Sequence, residues 1–243
     1  MGTISMITSG KDGVGKSTIS IFLADAIEAL GKRVLIIELD TGLRSLDIMS
    51  GAYGSTVFDI FDVLSGRCTP GQAIVHAPSP RKEIYLLSAP YKNERVQGEQ
   101  FVKLVSSLSE QFDHVIIDAA NHAGSIVAAS AVSMNAIVVA TPDPLSVRDA
   151  RIMTDRLRDL SVPNIRLLIN RVVPSRIHMG LVPNLDYCID SVGARLIGVI
   201  TEEDDIALSA AGGRPIGKKN PCRVIFDNIA QRIYGNDVPL AIE

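Results

Sequence analysis

Nine residues near the N-terminus constrain this chain more than any other stretch. Gly10-Lys11-Asp12-Gly13-Val14-Gly15-Lys16-Ser17-Thr18 follows the apolar residues 4–7 and precedes a pattern in which Ile19, Leu23, Ala26, Ile27 and Leu30 share one helical face, closed by Gly31. Apolar run, glycine-rich turn and helix, in that order, form the context of a phosphate-binding loop of the type G-x-x-x-x-G-K-[ST]. Gly13 and Gly15 let the backbone aim several N–H groups at one anion, an approach that side chains would block. Lys16 offers a point charge to β- and γ-phosphates, and the Ser17 hydroxyl stands where it can ligate Mg²⁺ at the start of a helix whose dipole favours anions. An ordinary strand-to-helix turn is the plain alternative, but it gives no reason for both glycines, Lys16 and Ser17 to stand in register.

Further apolar runs of strand length occur at residues 34–37, 84–87, 136–140, 165–169 and 196–200, and helical patterns alternate with them. That alternation predicts parallel strands joined by right-handed crossovers. Continuous rather than period-two apolar runs predict a sheet covered on both faces. The expected fold is therefore a three-layer α/β P-loop NTPase fold with a mostly parallel sheet. Ligands collect at the C-terminal edge of such strands. With 243 residues, 47% of them hydrophobic, the chain can bury one large core, and it reads as a single domain over 1–243 with no linker.

Lys11 taken alone is an ordinary solvated lysine. In the pattern K-x-G-x-G-K-[ST] it resembles the deviant Walker A loop of the MinD/ParA family, in which this lysine reaches across a dimer to the partner's nucleotide. The stretch Glu38-Leu39-Asp40-Thr41-Gly42-Leu43-Arg44-Ser45-Leu46-Asp47 is similar to the D-x-D-x-G-L-R-N-L-D of the family's MinD branch, more than to the ParA branch. Asp40 follows a strand next to the phosphate loop, so its carboxylate can face the γ-phosphate, hold Mg²⁺ through water or orient an attacking water; a turn or capping aspartate is the alternative. Glu38 stands where the family has Asp and reads as a support for the loop. Phe112-Asp113-His114-Val115-Ile116-Ile117-Asp118 is an apolar strand ending in an acid, as in a Walker B strand, and Asp118 is expected in the metal's second shell. After it the family has D-[ST]-P-A-G, whereas this chain has Ala119-Ala120-Asn121-His122-Ala123-Gly124, without the proline and about one residue shorter by pattern.

The resemblance implies a Mg²⁺-dependent ATP/ADP site. Its binding residues would be Gly10, Lys11, Asp12, Gly13, Val14, Gly15, Lys16, Ser17 and Thr18, with Asn170 and Arg171 near the base. Lys11, Lys16 and Asp40 would be catalytic, and Ser17, Asp40 and Asp118 would serve the metal. Asn170 could pair with adenine or be a plain turn asparagine. Thr201 stands where relatives often carry Pro before Glu-Asp. The segment from Thr141-Pro142-Asp143-Pro144 through Asp149 reads as architectural.

A net charge of −3 and no basic run argue against attachment to DNA, and the cluster Arg214, Lys218, Lys219 reads as a solvated loop. Cys68, Cys188 and Cys222 are widely spaced, which fits isolated buried thiols in a reducing cytoplasm and not an iron–sulfur relative. No signal core and no run of the ~18 apolar residues a membrane span needs is present. MinD-branch proteins typically end in a basic amphipathic helix that lies on the membrane. Here Ile225, Ile229 and Ile233 read as core packing, and residues 236–243 contain no lysine, so no membrane anchor is visible. The expected partners are a second copy of the chain with ATP bound and an activating or effector protein, in the cytoplasm or peripherally at the inner face of the membrane. Division-site placement, ParA-like or flagellar placement, and a nucleotide-gated scaffold with negligible turnover all stand open at this point.

Overall fold

The computed structural model describes residues 1–41, 44–91, 98–217 and 219–240. Gly42 and Leu43 of the second motif, Lys218 of the basic cluster and the last three residues lie outside them. In chain order the elements are β1 (Thr3–Thr8), α1 (Lys16–Ala29), β2 (Val34–Glu38), α2 (Leu46–Ser50), α3 (Ile60–Leu64), α4 (Pro70–Ala73), β3 (Val75–His76), β4 (Ile84–Leu87), α5 (Glu99–Leu108) and β5 (His114–Asp118). There follow α6 (Ala123–Ser130), β6 (Asn135–Ala140), α7 (Pro144–Asp159), β7 (Asn164–Val172), α8 (Pro174–His178), α9 (Leu185–Val192), β8 (Arg195–Thr201), α10 (Asp204–Ala211) and α11 (Pro221–Ile233).

The strands form one eight-stranded sheet in the order β3-β4-β2-β5-β1-β6-β7-β8, parallel except for the two-residue edge strand β3. Each long apolar run became a buried parallel strand because helices cover both faces. One core gathers Phe101, Val105, Ile126 and Leu157 from α5, α6 and α7; the other gathers Phe22, Phe226 and Ile229 from α1 and α11. Phe22 and Phe226 meet edge to face at 5.7 Å. Ile225 and Ile233 pack against this second core at partial burial, so the isoleucine face of α11 is a core face.

The two central strands bring the expected residues together. β1 lies between β5 and β6, so the loop after Thr8 emerges beside the end of β5. Ile7 pairs with Asp118, and Glu38 pairs with Asp118 from the other side.

A buried guanidinium ties the second face together. Arg81 donates from Nε and Nη2 to both carboxylate oxygens of Asp25 on α1, at 2.7 and 3.1 Å. Its Nη1 donates to the carbonyls of Ser50, at the end of α2, and Gly213, beyond α10, at 3.0 and 2.9 Å. Burial pushes the Asp25 carboxyl up and Arg81 pulls it back.

Three sequence expectations need correction. The prolines of Val173-Pro174 through Val182-Pro183 read in sequence as marking a short loop, but Pro174 supplies the first-turn residue of α8. Cys68 is half-buried and not enclosed like Cys188 and Cys222, since it follows the exposed residues 65–67. Asp143 is more than architectural, for the reason given next.

Candidate functional site

The phosphate loop starts where β1 ends and stops where α1 begins. Gly15 caps α1 with φ +101°, and a Cβ built there would stand 2.5 Å from Asn170 Nδ2. Glycine is required on both counts, conformation and space. At Gly10 a Cβ would run into the backbone carbonyl of Asp149 on α7, so the loop lies flush against that helix.

Lys16, 6% exposed, is held at the head of α1, and its Nζ lies 3.5 Å from Asp12 Oδ1. The next residue makes the decisive contact: Ser17 Oγ donates to Asp118 Oδ2 at 2.6 Å. Asp118 is fully buried, and burial pushes its carboxyl up to about 6 against the pull of Ser17 and Lys16. Its other oxygen, Oδ1, is buried without a hydrogen-bond partner. An unsatisfied buried carboxylate oxygen is costly unless something arrives to satisfy it. A hydroxyl and two carboxylates suit Mg²⁺, which keeps several waters and takes few protein oxygens. Among the described residues no group of three or more His, Cys, Asp or Glu is placed to hold a metal ion.

Asp40 is half-buried just beyond β2. Burial raises its carboxyl, and it feels the charges of Lys16, Asp12 and His122. The next helix, α2, is capped by Ser45 and not by Asp40. Glu38 braces this region as expected: its oxygens accept from the Leu46 and Ala89 amides at 3.0 and 3.4 Å. Burial pushes the Glu38 carboxyl up to about 8, with the neighbouring Asp118 charge adding to the rise.

These raised carboxyls fix a sign. Stability from a raised carboxyl is complete below its unfolded value and is lost as pH rises through the folded one, because the unfolded chain gives up its proton first. Stability should therefore fall between about pH 5 and about pH 8, by on the order of 1 kcal/mol per pH unit for each carboxyl still protonated in the fold. Urea denaturation across that window measures the slope, and Glu38→Gln should flatten it; an unchanged slope in the variant would show that Glu38 is ionised in the fold.

Lys11 does not stand alone. Its Nζ lies 3.5 Å from Asp143 Oδ1. Asp143 caps α7 by accepting from the Ser146 amide at 3.0 Å, and Thr141 Oγ1 donates to its other oxygen at 2.6 Å. Burial works to raise Asp143, but Thr141, Ser146 and Lys11 together hold it below its ordinary value. Sequence reading missed this pairing, although an acid right after a strand end was the available signal. Asn170 is not a plain turn asparagine, since it lies within β7. It is buried and donates to the Val14 carbonyl at 2.8 Å, bracing the phosphate loop, while Arg171 is exposed with φ +56°.

Residues 5–216 match the family model described as the CobQ/CobB/MinD/ParA nucleotide binding domain. The chain is 36% identical to the septum site-determining protein MinD of Bacillus subtilis (strain 168), over 100% of this chain and 92% of that protein. It is similar in structure to the MinC:MinD cell division protein complex of Aquifex aeolicus, with TM-score 0.90, 29% identity and 99% of each chain covered. A second solved structure, the septum site-determining protein MinD from Pyrococcus horikoshii OT3 complexed with Mg-ADP, shares the fold, with TM-score 0.85, 22% identity, 96% of this chain and 96% of that one covered.

Proposed function

Because this chain belongs to the CobQ/CobB/MinD/ParA nucleotide-binding family, we propose that it is a MinD-like ATPase that joins two copies when ATP is bound and acts in division-site placement. Its substrate is ATP, its product ADP, and its cation Mg²⁺; its partners are a second copy of itself and an effector protein. The observation that carries the reading is the Ser17 to Asp118 hydrogen bond, which joins the phosphate loop to the end of β5 across 101 residues of sequence. We assign residues 1–243 to one ATPase unit.

Each side chain then has a task. Lys16 and the loop amides bind the β- and γ-phosphates. Asp118 orients the Ser17 hydroxyl, and the two would hold Mg²⁺ beside the phosphates. Mg²⁺, when bound, neutralises charge on the phosphate oxygens. Asp40 orients the water that attacks the γ-phosphorus opposite its bond to the departing ADP oxygen. Lys11 of one copy stabilises charge on the γ-phosphoryl group of the other, and to do so it must leave Asp143. Asn170 reaches the base side of the site while holding Val14.

The altered loop after Asp118 favours slow turnover that the effector protein accelerates. Phosphate release from Mg²⁺-ATP, with and without a MinC-type or activating partner, tests the assignment. Lys11→Ala should cut turnover at least about tenfold while ATP affinity changes by less than about threefold, the split expected of a contact made in the transition state. Equal turnover in the variant would remove Lys11 from the mechanism.

No helix among the described residues is long and apolar enough to cross a membrane. We place the protein in the cytoplasm, with peripheral access to the inner face of the membrane through its partners. DNA is not assigned as a partner, since the net charge is −3 and basic residues form no run.

A further inference from the structure

The segment after Asp118 departs from its family pattern, and one side chain in that departure, Asn121, does something specific. Asn121 Nδ2 donates to Asp12 Oδ1 at 2.6 Å, across 109 residues of sequence. That same carboxylate oxygen is the one 3.5 Å from Lys16 Nζ. Ser9 Oγ lies 3.3 Å from Asn121 Oδ1, although its single proton is better used on the Lys11 carbonyl at 2.7 Å. A chain of contacts thus runs from the loop before α6, through Asn121 and Asp12, to the ammonium that a phosphate must take over.

Lys16 can satisfy phosphate or the Asp12 carboxylate, but two anions crowded on one ammonium repel each other. The Asp12 side chain is 84% exposed and can swing outward at little cost. Doing so breaks its bond to Asn121. We propose that Asn121 is a positioning residue that sets how tightly nucleoside phosphates are held: it braces Asp12 against Lys16, so that phosphate binding and release of residues 119–122 are one event. The proposal rests on the ATPase reading and adds to it the residue through which the loop after β5 registers phosphate on Lys16.

The test is calorimetric titration of Mg²⁺-ADP into the wild type, Asn121→Ala, Asp12→Ala and the double variant. Loss of one net hydrogen bond that opposes binding predicts about fivefold tighter ADP binding by Asn121→Ala. Asp12→Ala should tighten binding at least as much, and the double variant should match Asp12→Ala alone because the two residues act through one contact. Hydrogen exchange at the amides of residues 121–124 should rise when ADP binds the wild type and be already high in Asn121→Ala. Unchanged or weaker ADP binding by Asn121→Ala, effects that multiply in the double variant, or an exchange response to ADP that persists in Asn121→Ala would each overturn the proposal. Failure of the wild type to bind ADP would instead refute the nucleotide site itself.

Discussion

Lys16→Ala is expected to weaken ATP and ADP binding by at least about 100-fold, the size of losing a charge-assisted contact to phosphate from a site where other charges depend on it. The reason lies in the balance of charge around the cradle. Lys16 is nearly buried and acts on Asp12, Asp40 and Asp118 together. Lys11 is engaged by Asp143. Removing Lys16 leaves carboxylates as the dominant charges of the cradle, and a triphosphate then meets repulsion where it had attraction. Calorimetry with ADP measures the loss, and binding within about threefold of the wild type would reject Lys16 as the phosphate ligand. The variant should remain folded, because α1 is secured by Ile19, Phe22, Leu23 and Ile27 in the core and not by the lysine.

The largest stability effect is expected at a residue outside the phosphate chemistry. Arg81→Ala should destabilise the fold by about 3–5 kcal/mol, because it strands a buried charge on Asp25 and removes the donor from the Ser50 and Gly213 carbonyls. Breaking one partner of such a pair costs more than the pair contributes over an apolar substitute. A double replacement, Arg81→Met with Asp25→Leu, should therefore recover much of the loss, with the two carbonyls accounting for the remainder. Urea denaturation of the three proteins checks both statements. A loss under about 1 kcal/mol in Arg81→Ala would mean that water reaches Asp25 and that the pair is not the clamp described.

The sheet and the strand–loop–helix that begins the chain were legible because they depend on local patterns. Continuous apolar runs gave the long strands, and parallel order then put the loop after Thr8, Asp40 and Asp118 on one rim. The register of two glycines, Lys16 and Ser17 gave the cradle, and the structure adds the Ser17 to Asp118 bond that such a cradle needs. What stayed hidden was long-range and polar. Arg81 and Asp25 are 56 residues apart, Lys11 and Asp143 132 apart, and Asn121 and Asp12 109 apart. No periodicity connects such partners; they meet because unrelated loops share the rim or the covering layer. Asn170 shows the limit well. Its place after a strand pointed to the site, but its bond to the Val14 carbonyl follows from how closely β7 approaches Gly15. The edge strand β3 and the short helix α8 were missed because two and five residues carry no repeat to read.

The central claim is that ATP on Lys16 and Ser17 joins two copies of this chain through Lys11. Sedimentation velocity of the protein with Mg²⁺ and either ADP or a non-hydrolysed ATP analogue tests it most directly. The account predicts a species of twice the chain's mass with the analogue, a single chain with ADP, and a single chain under both conditions for Lys11→Ala. A wild type that binds the analogue yet sediments as one chain, or a Lys11→Ala variant that pairs as well as the wild type, would contradict it.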